Sequence, residues 1–103
     1  MTQPDFFKRL EELYANNVAI SRRKNADYAN EHDALANFKA CEAFGIPAEI
    51  GILVRMTDKL MRISNLIKPG AEAKVKDESV LDTLSDLANY SAILRIYLEE
   101  KGK

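Results

Sequence analysis

Residues 77–90, DESVLDTLSDLANY, read as an amphipathic helix whose carboxylates are confined to one side. At about 100° per residue, Glu78, Asp82, Asp86 and Asn89 fall within an arc of roughly 80°, with Ser85 at its edge. Val80, Leu81, Leu84, Leu87, Ala88 and Leu94 take the opposite side, so one face is suited to burial and the other to water or a ligand. Magnesium prefers oxygen donors and keeps several waters, so acids one helical turn apart suffice when a substrate phosphate supplies the rest. Glu78, Asp82 and Asp86 are therefore the candidate metal ligands. The same residues also suit a plain solvated face near a helix N-terminus, where the macrodipole favours acids. Both readings stand at this point.

The remainder of the chain is helical in the same way. Its 103 residues set an expectation of one all-α domain spanning residues 1–103, a bundle of about four helices with a modest core. Thr2 is placed to cap a first helix with Pro4 and Asp5 in its opening turn. Phe6, Leu10, Leu13 and Val18, with Phe7, Tyr14 and Ile20, give it a wide apolar stripe, and the polar run from Ser21 to Asp33 is expected to be a loop. A short helix follows over about residues 33–44, with Leu35, Phe38 and Cys41 at helical spacing and Gly45 as its C-cap. A long helix is expected over 47–67, with Ile50, Leu53, Met56, Leu60, Ile63 and Ile67 as its core stripe. Lys68-Pro69-Gly70 ends it. The last helix is expected to start at Asp77 as N-cap and to run to about Glu100.

Composition excludes several classes of function. A formal net charge of −1 leaves no excess of cations for wrapping a nucleic-acid polymer. The single cysteine, Cys41, excludes an internal disulfide and a cysteine-rich zinc site, and suits a small core residue better than a nucleophile. No apolar run has the length of a membrane span, and residues 1–10 do not read as a signal peptide, so a cytoplasmic location is expected. No Gly-rich phosphate loop, Ser/His/Asp set or HExxH motif is present; if the chain is an enzyme, its nucleophile is water.

Two further groups carry chemistry. Arg22, Arg23 and Lys24 run into Asn25, Asp27 and Tyr28, a combination of phosphate contacts, base-edge hydrogen bonds and a stacking surface, or else an ordinary solvated helix end. Arg55, Lys59 and Arg62 recur at i, i+4 and i+7, with Asp58 beside them. Antiparallel packing of the last two helices would set this basic row against the acidic one, as an interhelical salt-bridge seam or as a cleft for metal and phosphate. Asn37, Phe38, Asn89 and Tyr90 add amide and aromatic groups. Apolar residues around much of the first helix, and Ile93, Ile96, Tyr97 and Leu98 on the last, exceed what a small core can cover, so a homo-oligomer is expected.

KNADYA (24–29), LANFK (35–39), TDKLMRISNL (57–66) and DESVLDTLSDLANYSAIL (77–94) together resemble the phage and bacterial family called nucleotide modification associated domain one, over residues 24–98. That family is in turn similar to the MazG-like all-α nucleotide pyrophosphohydrolases, helical and usually oligomeric enzymes that use magnesium to split a nucleoside triphosphate into monophosphate and pyrophosphate. The resemblance implies a Mg2+-dependent pyrophosphohydrolase acting on free nucleotides, standard or modified, in the cytoplasm of a host cell if the chain is phage-encoded. Glu78, Asp82 and Asp86 would hold the metal, and Lys59, Arg62 and Asp58 would form the catalytic set. Lys24, Asn25, Asp27, Tyr28, Asn37, Phe38, Asn89 and Tyr90 would hold the nucleotide. MazG-like enzymes carry an ExxE pair on one helix and an ExxD pair on a later one. Here the later acids are four apart, and Asp58, Lys59 and Arg62 stand where the earlier acids belong. That departure supports an alternative of another class, a non-catalytic nucleotide-binding module of phage origin acting as sponge or regulator.

Overall fold

The computed structural model describes residues 1–28, 31–74 and 79–103, and of Tyr28 the backbone alone; among these residues the chain is all-α. α1 spans Gln3–Tyr28, α2 Ala36–Lys39, α3 Ala48–Leu66 and α4 Val80–Lys101, and a 3-10 segment, Ala40–Phe44, continues α2. Backbone contacts divide the chain into two units, Met1–Ala34 and Leu35–Lys103.

The first unit is built on α1. Thr2 caps it as expected, its Oγ1 accepting the Asp5 N–H at 3.2 Å. The helix does not stop at the polar run from Ser21, as the sequence reading had it, but continues to Tyr28. Polarity alone does not end a helix. From Asp5 to Phe44 there is neither glycine nor proline, and Arg, Lys and Ala are good helix formers.

The second unit is a hairpin of α3 and α4 with α2 and the 3-10 segment laid on α3. Gly45, at φ 79°, closes the 3-10 segment in the left-handed conformation that glycine adopts without steric cost. Pro47 is the N-cap of α3, and Gly70, at φ 78°, lies in the turn that follows it. Ala48, Ile52 and Tyr97 form the buried centre, with Leu35, Phe38, Met56, Ile93 and Leu94 packed around them. Ile63 and Thr83 are buried nearer the other end. The Thr83 hydroxyl costs little there, because it donates to the Ser79 carbonyl at 2.8 Å.

This core corrects the expected facing of both long helices. Ile50, Leu53, Leu60 and Ile67, assigned to the core of α3, are all about half exposed or more. Met56 and Ile63 of the expected stripe do face inward, and with Ala48 and Ile52, which were not assigned, they make the narrower apolar line that meets α4. Small Ala48 permits a close approach that a bulkier residue would prevent, and Gly51, one turn on, gives room to Cys41 of the 3-10 segment. On α4, Leu81, Leu84 and Ala88 are exposed, whereas Thr83 and Tyr97 are buried. Tyr97 therefore belongs to the core and not to the surplus apolar surface. The helix also starts later than expected: its N-cap is Ser79, and Asp77 and Glu78 lie outside the described residues.

One ion pair joins the hairpin's open ends. Lys101 in the last turn of α4 donates to both carboxylate oxygens of Glu49 in the first turn of α3, at 3.0 and 2.9 Å. Each charge also complements its own helix dipole. The hydrogen bond from Lys101 holds the Glu49 carboxyl below its ordinary value of 4.5, and the same bond raises Lys101 above 10.5. Tyr97, beside them, is raised by burial first and by the Glu49 charge second.

A depressed carboxylate contributes stability above its unfolded-state value, lost as pH falls through the folded one; a raised ammonium contributes below its unfolded-state value, lost as pH rises. The pair is thus fully engaged between about 4.5 and 10.5. Glu49→Gln should lower Tm at pH 7, and the gap between variant and wild type should close as pH drops below about 4, in thermal melts followed by circular dichroism.

Candidate functional site

The long helices run antiparallel, so Lys59 on α3 meets Asp86 on α4, and one turn along each helix from that pair stand Arg55 and Tyr90. Lys59 Nζ lies 3.3 Å from Asp86 Oδ2, with both side chains mostly covered. Phe38, from α2, closes the other end of this quartet. Its ring stands edge to face with Tyr90, centroids 6.3 Å apart at 85°, and the Arg55 guanidinium carbon lies 5.3 Å from its centroid. A cation over an aromatic face is attracted by the ring quadrupole, and the edge-to-face pair is the favoured aromatic geometry. Phe38 is thus held from two helices, by a guanidinium of α3 and a phenol ring of α4.

Phe38 reaches this position through a close contact one turn away. The Cys41 Sγ sits where a side chain on Gly51 would begin, 2.6 Å from an ideal Cβ. Glycine within α3 gives up about 1 kcal/mol of helix propensity relative to alanine. The close seating of the 3-10 segment on α3 accounts for its presence.

The structure brings together five of the residues singled out from sequence: Phe38, Arg55, Lys59, Asp86 and Tyr90. Asn37 and Asn89 are half-buried, each next in sequence to one of the paired aromatic residues, and Arg62 is half-buried on α3 one turn beyond Lys59. Asp58 is exposed on α3. Lys24, Asn25 and Asp27 are exposed on the last turns of α1, in the other unit, and Tyr28 is that helix's final residue. Glu78 lies outside the described residues. Sequence reading had Arg55 in the basic row but missed its contact with Phe38, because nothing in the spacing tells which helix face α2 will lie against.

Asp82 has a specific local task. Its Oδ2 accepts the Ser79 hydroxyl at 2.7 Å and the Ser79 N–H at 3.2 Å, while the Asp82 N–H donates to Ser79 Oγ at 3.2 Å. This is a capping box, with aspartate in the place more often held by Glu or Gln. Asp82 and Asp86 are therefore committed as they stand, one to a helix cap and the other to an ammonium. Among the described residues no three His, Cys, Asp or Glu side chains are grouped so as to hold a metal. Of the three candidate metal ligands the structure describes these two, one turn apart on α4, and Glu78 lies outside the described residues.

Comparison with known families gives the wider setting. The family model described as Nucleotide modification associated domain 1 matches residues 24–98. The chain belongs to that family. No curated protein and no solved structure matches the chain. The matched region of this nucleotide modification associated domain takes in the end of α1, all of α2 and α3, and α4 nearly to its end.

The capping role and the metal role of Asp82 respond differently to chelation. Asp82→Asn should lose about 0.5–1 kcal/mol of stability through the weakened cap and dipole complement, equally in Mg2+ and in EDTA. A loss seen only with Mg2+, by thermal melts in the two buffers, would instead assign Asp82 to a metal.

Proposed function

We propose that this chain binds a free nucleotide at the Phe38–Arg55–Tyr90–Lys59 cluster and acts as a homo-oligomer of cytoplasmic location. The observation that carries the reading is the adjacency of two aromatic rings to a row of cations, within a family described by its association with nucleotide modification. An aromatic face offers stacking to a base, and Arg55 and Lys59 offer charge-assisted hydrogen bonds to phosphate oxygens. The near-neutral chain favours a small ligand over a polymer. No helix among the described residues is long and apolar enough to cross a membrane.

Asp86 occupies the Lys59 ammonium. Phosphate binding exchanges one charge-assisted pair for another, so Asp86 competes with the nucleotide and tunes its affinity. Release of Lys59 also leaves a carboxylate facing phosphate, which opposes binding unless that charge turns away to water. The resulting module recognises its ligand without consuming it.

Magnesium-dependent pyrophosphohydrolysis, the function implied by the MazG-like resemblance, is the second reading. Asp82 and Asp86, one turn apart on α4 with Lys59 against the latter, favour it. The two readings demand opposite roles of Asp86, as competitor or as metal ligand.

Calorimetry with nucleoside mono- and triphosphates, in Mg2+ and in EDTA, together with a pyrophosphate assay, separates them. Binding should persist in EDTA with the nucleotide recovered intact; Lys59→Met should weaken it about tenfold and Asp86→Asn should strengthen it several-fold. Mg2+-dependent pyrophosphate release that Asp86→Asn abolishes would establish the hydrolytic reading instead. Failure of every nucleotide to bind would remove both.

A further inference from the structure

The face of α3 turned away from α4 is largely apolar and carries no charge. Ile50, Leu53, Leu60 and Ile67 follow one another at spacings of three, seven and seven, and Val54 and Met61 lie alongside at the same seven-residue repeat. All six are between 47% and 72% exposed. In heptad terms the stripe occupies positions a, d and e, with Thr57 and Ser64 as the intervening a residues. The Thr57 hydroxyl donates to the Leu53 carbonyl at 3.0 Å, so its polar atom is already satisfied within the helix. No charged residue stands at a, d or e between Ile50 and Ile67; Arg55, Lys59 and Arg62 are on the side of α3 that serves the hairpin.

We infer that this stripe is the seam on which a second copy of the chain packs, with the two α3 helices antiparallel about a two-fold axis passing between Asp58 and Lys59. The pattern is self-complementary about that axis. Ile50 falls opposite Ile67 of the other copy, Leu53 opposite Ser64, and Thr57 opposite Leu60, so every inner layer sets a large side chain against a small one. Large-against-small layers interdigitate without voids or overpacking. Val54 and Met61 flank these layers on one side, and the antiparallel direction pairs the helix dipoles favourably. The seam lacks the charges with which interfaces between unlike chains set register and partner choice.

The area is of the right size. Six large side chains each exposing about 100 Å² present roughly 600 Å² per copy, or about 1,200 Å² in all, the lower end of stable protein interfaces. That also reaches the upper limit of the largest apolar patch on a typical monomer, about 600 Å². Because the seam and the aromatic–cation cluster use different sides of α3, the pairing stands independently of the nucleotide reading.

The test is the mass of the full chain by light scattering at micromolar concentration. Wild type should be a dimer. Leu60→Glu buries two charges against the two-fold axis and should raise the dissociation constant on the order of a hundredfold, with helicity by circular dichroism unchanged. Thr57→Leu, which enlarges the small partner of the same layer, reports on the seam by changing the dissociation constant, whereas Ile96→Glu, equally exposed but on α4, should leave it unchanged. A monomeric wild type, or a dimer indifferent to Leu60→Glu and Thr57→Leu but broken by Ile96→Glu, overturns the proposal.

Discussion

The second unit depends on how closely its helices approach at the start of α3. Ala48 is fully buried, Ile52 nearly so, and Gly51 between them admits the Cys41 thiol where a side chain would otherwise stand. Close approach of this kind gathers dispersion contacts that no single pair could supply, and it is intolerant of an added methyl group. The same contact fixes the 3-10 segment, and through it the short α2 that carries Phe38. A packing constraint at Gly51 thus sets the position of the aromatic ring at the candidate site, one turn back along the chain. Architecture and chemistry are joined there by a residue that has no side chain.

Much of this was legible in the sequence because it rests on local signals. The four helices, the Thr2 cap, the Gly45 stop, the end of α3 at Lys68-Pro69-Gly70 and the opposition of basic and acidic rows all follow from periodicity, caps and charge spacing. What was not legible is which apolar line of α3 is inside. Helical spacing assigns Ile50, Leu53, Leu60 and Ile67 to the core together with Met56 and Ile63, yet these four, the more hydrophobic part of the stripe, are exposed. The structure keeps Ile63 and Met56 of the expected stripe on the inside and adds Ala48 and Ile52, because the helices close over the line where small Ala48 lets them approach. Hydrophobicity ranks the two faces; fit decides between them.

The acidic row of α4 shows the same limit in electrostatic form. Helical spacing places Asp82 and Asp86 on one arc, but spacing is blind to what each carboxylate will find nearby. Asp82 finds the orphan N–H groups and the serine hydroxyl of its own helix start, and Asp86 finds Lys59 across the hairpin. Ser79, which decides the first outcome, sits two residues after Asp77, and either could have capped the helix by composition alone. Only the three-residue spacing from Ser79 to Asp82 marks the capping box, and it is a pattern that a metal-ligand reading of the same acids conceals. The half-buried ion pair is likewise a device for register as much as for stability, since such pairs add little net free energy once desolvation is included.

The dependence of the fold on the Gly51 contact is open to one direct measurement, the thermodynamic cycle between Gly51→Ala and Cys41→Ala by denaturant unfolding. In the wild-type background the added methyl group meets the Cys41 thiol, and Gly51→Ala should destabilise by about 1–3 kcal/mol despite its better helix propensity. In the Cys41→Ala background that obstacle is gone, and the same substitution should stabilise by up to about 1 kcal/mol, the ordinary gain of alanine over glycine in a helix. A change of sign between the two backgrounds is the predicted result. Equal effects in both would mean that the two side chains do not meet, and that the seating of the Phe38 segment on α3 has some other cause.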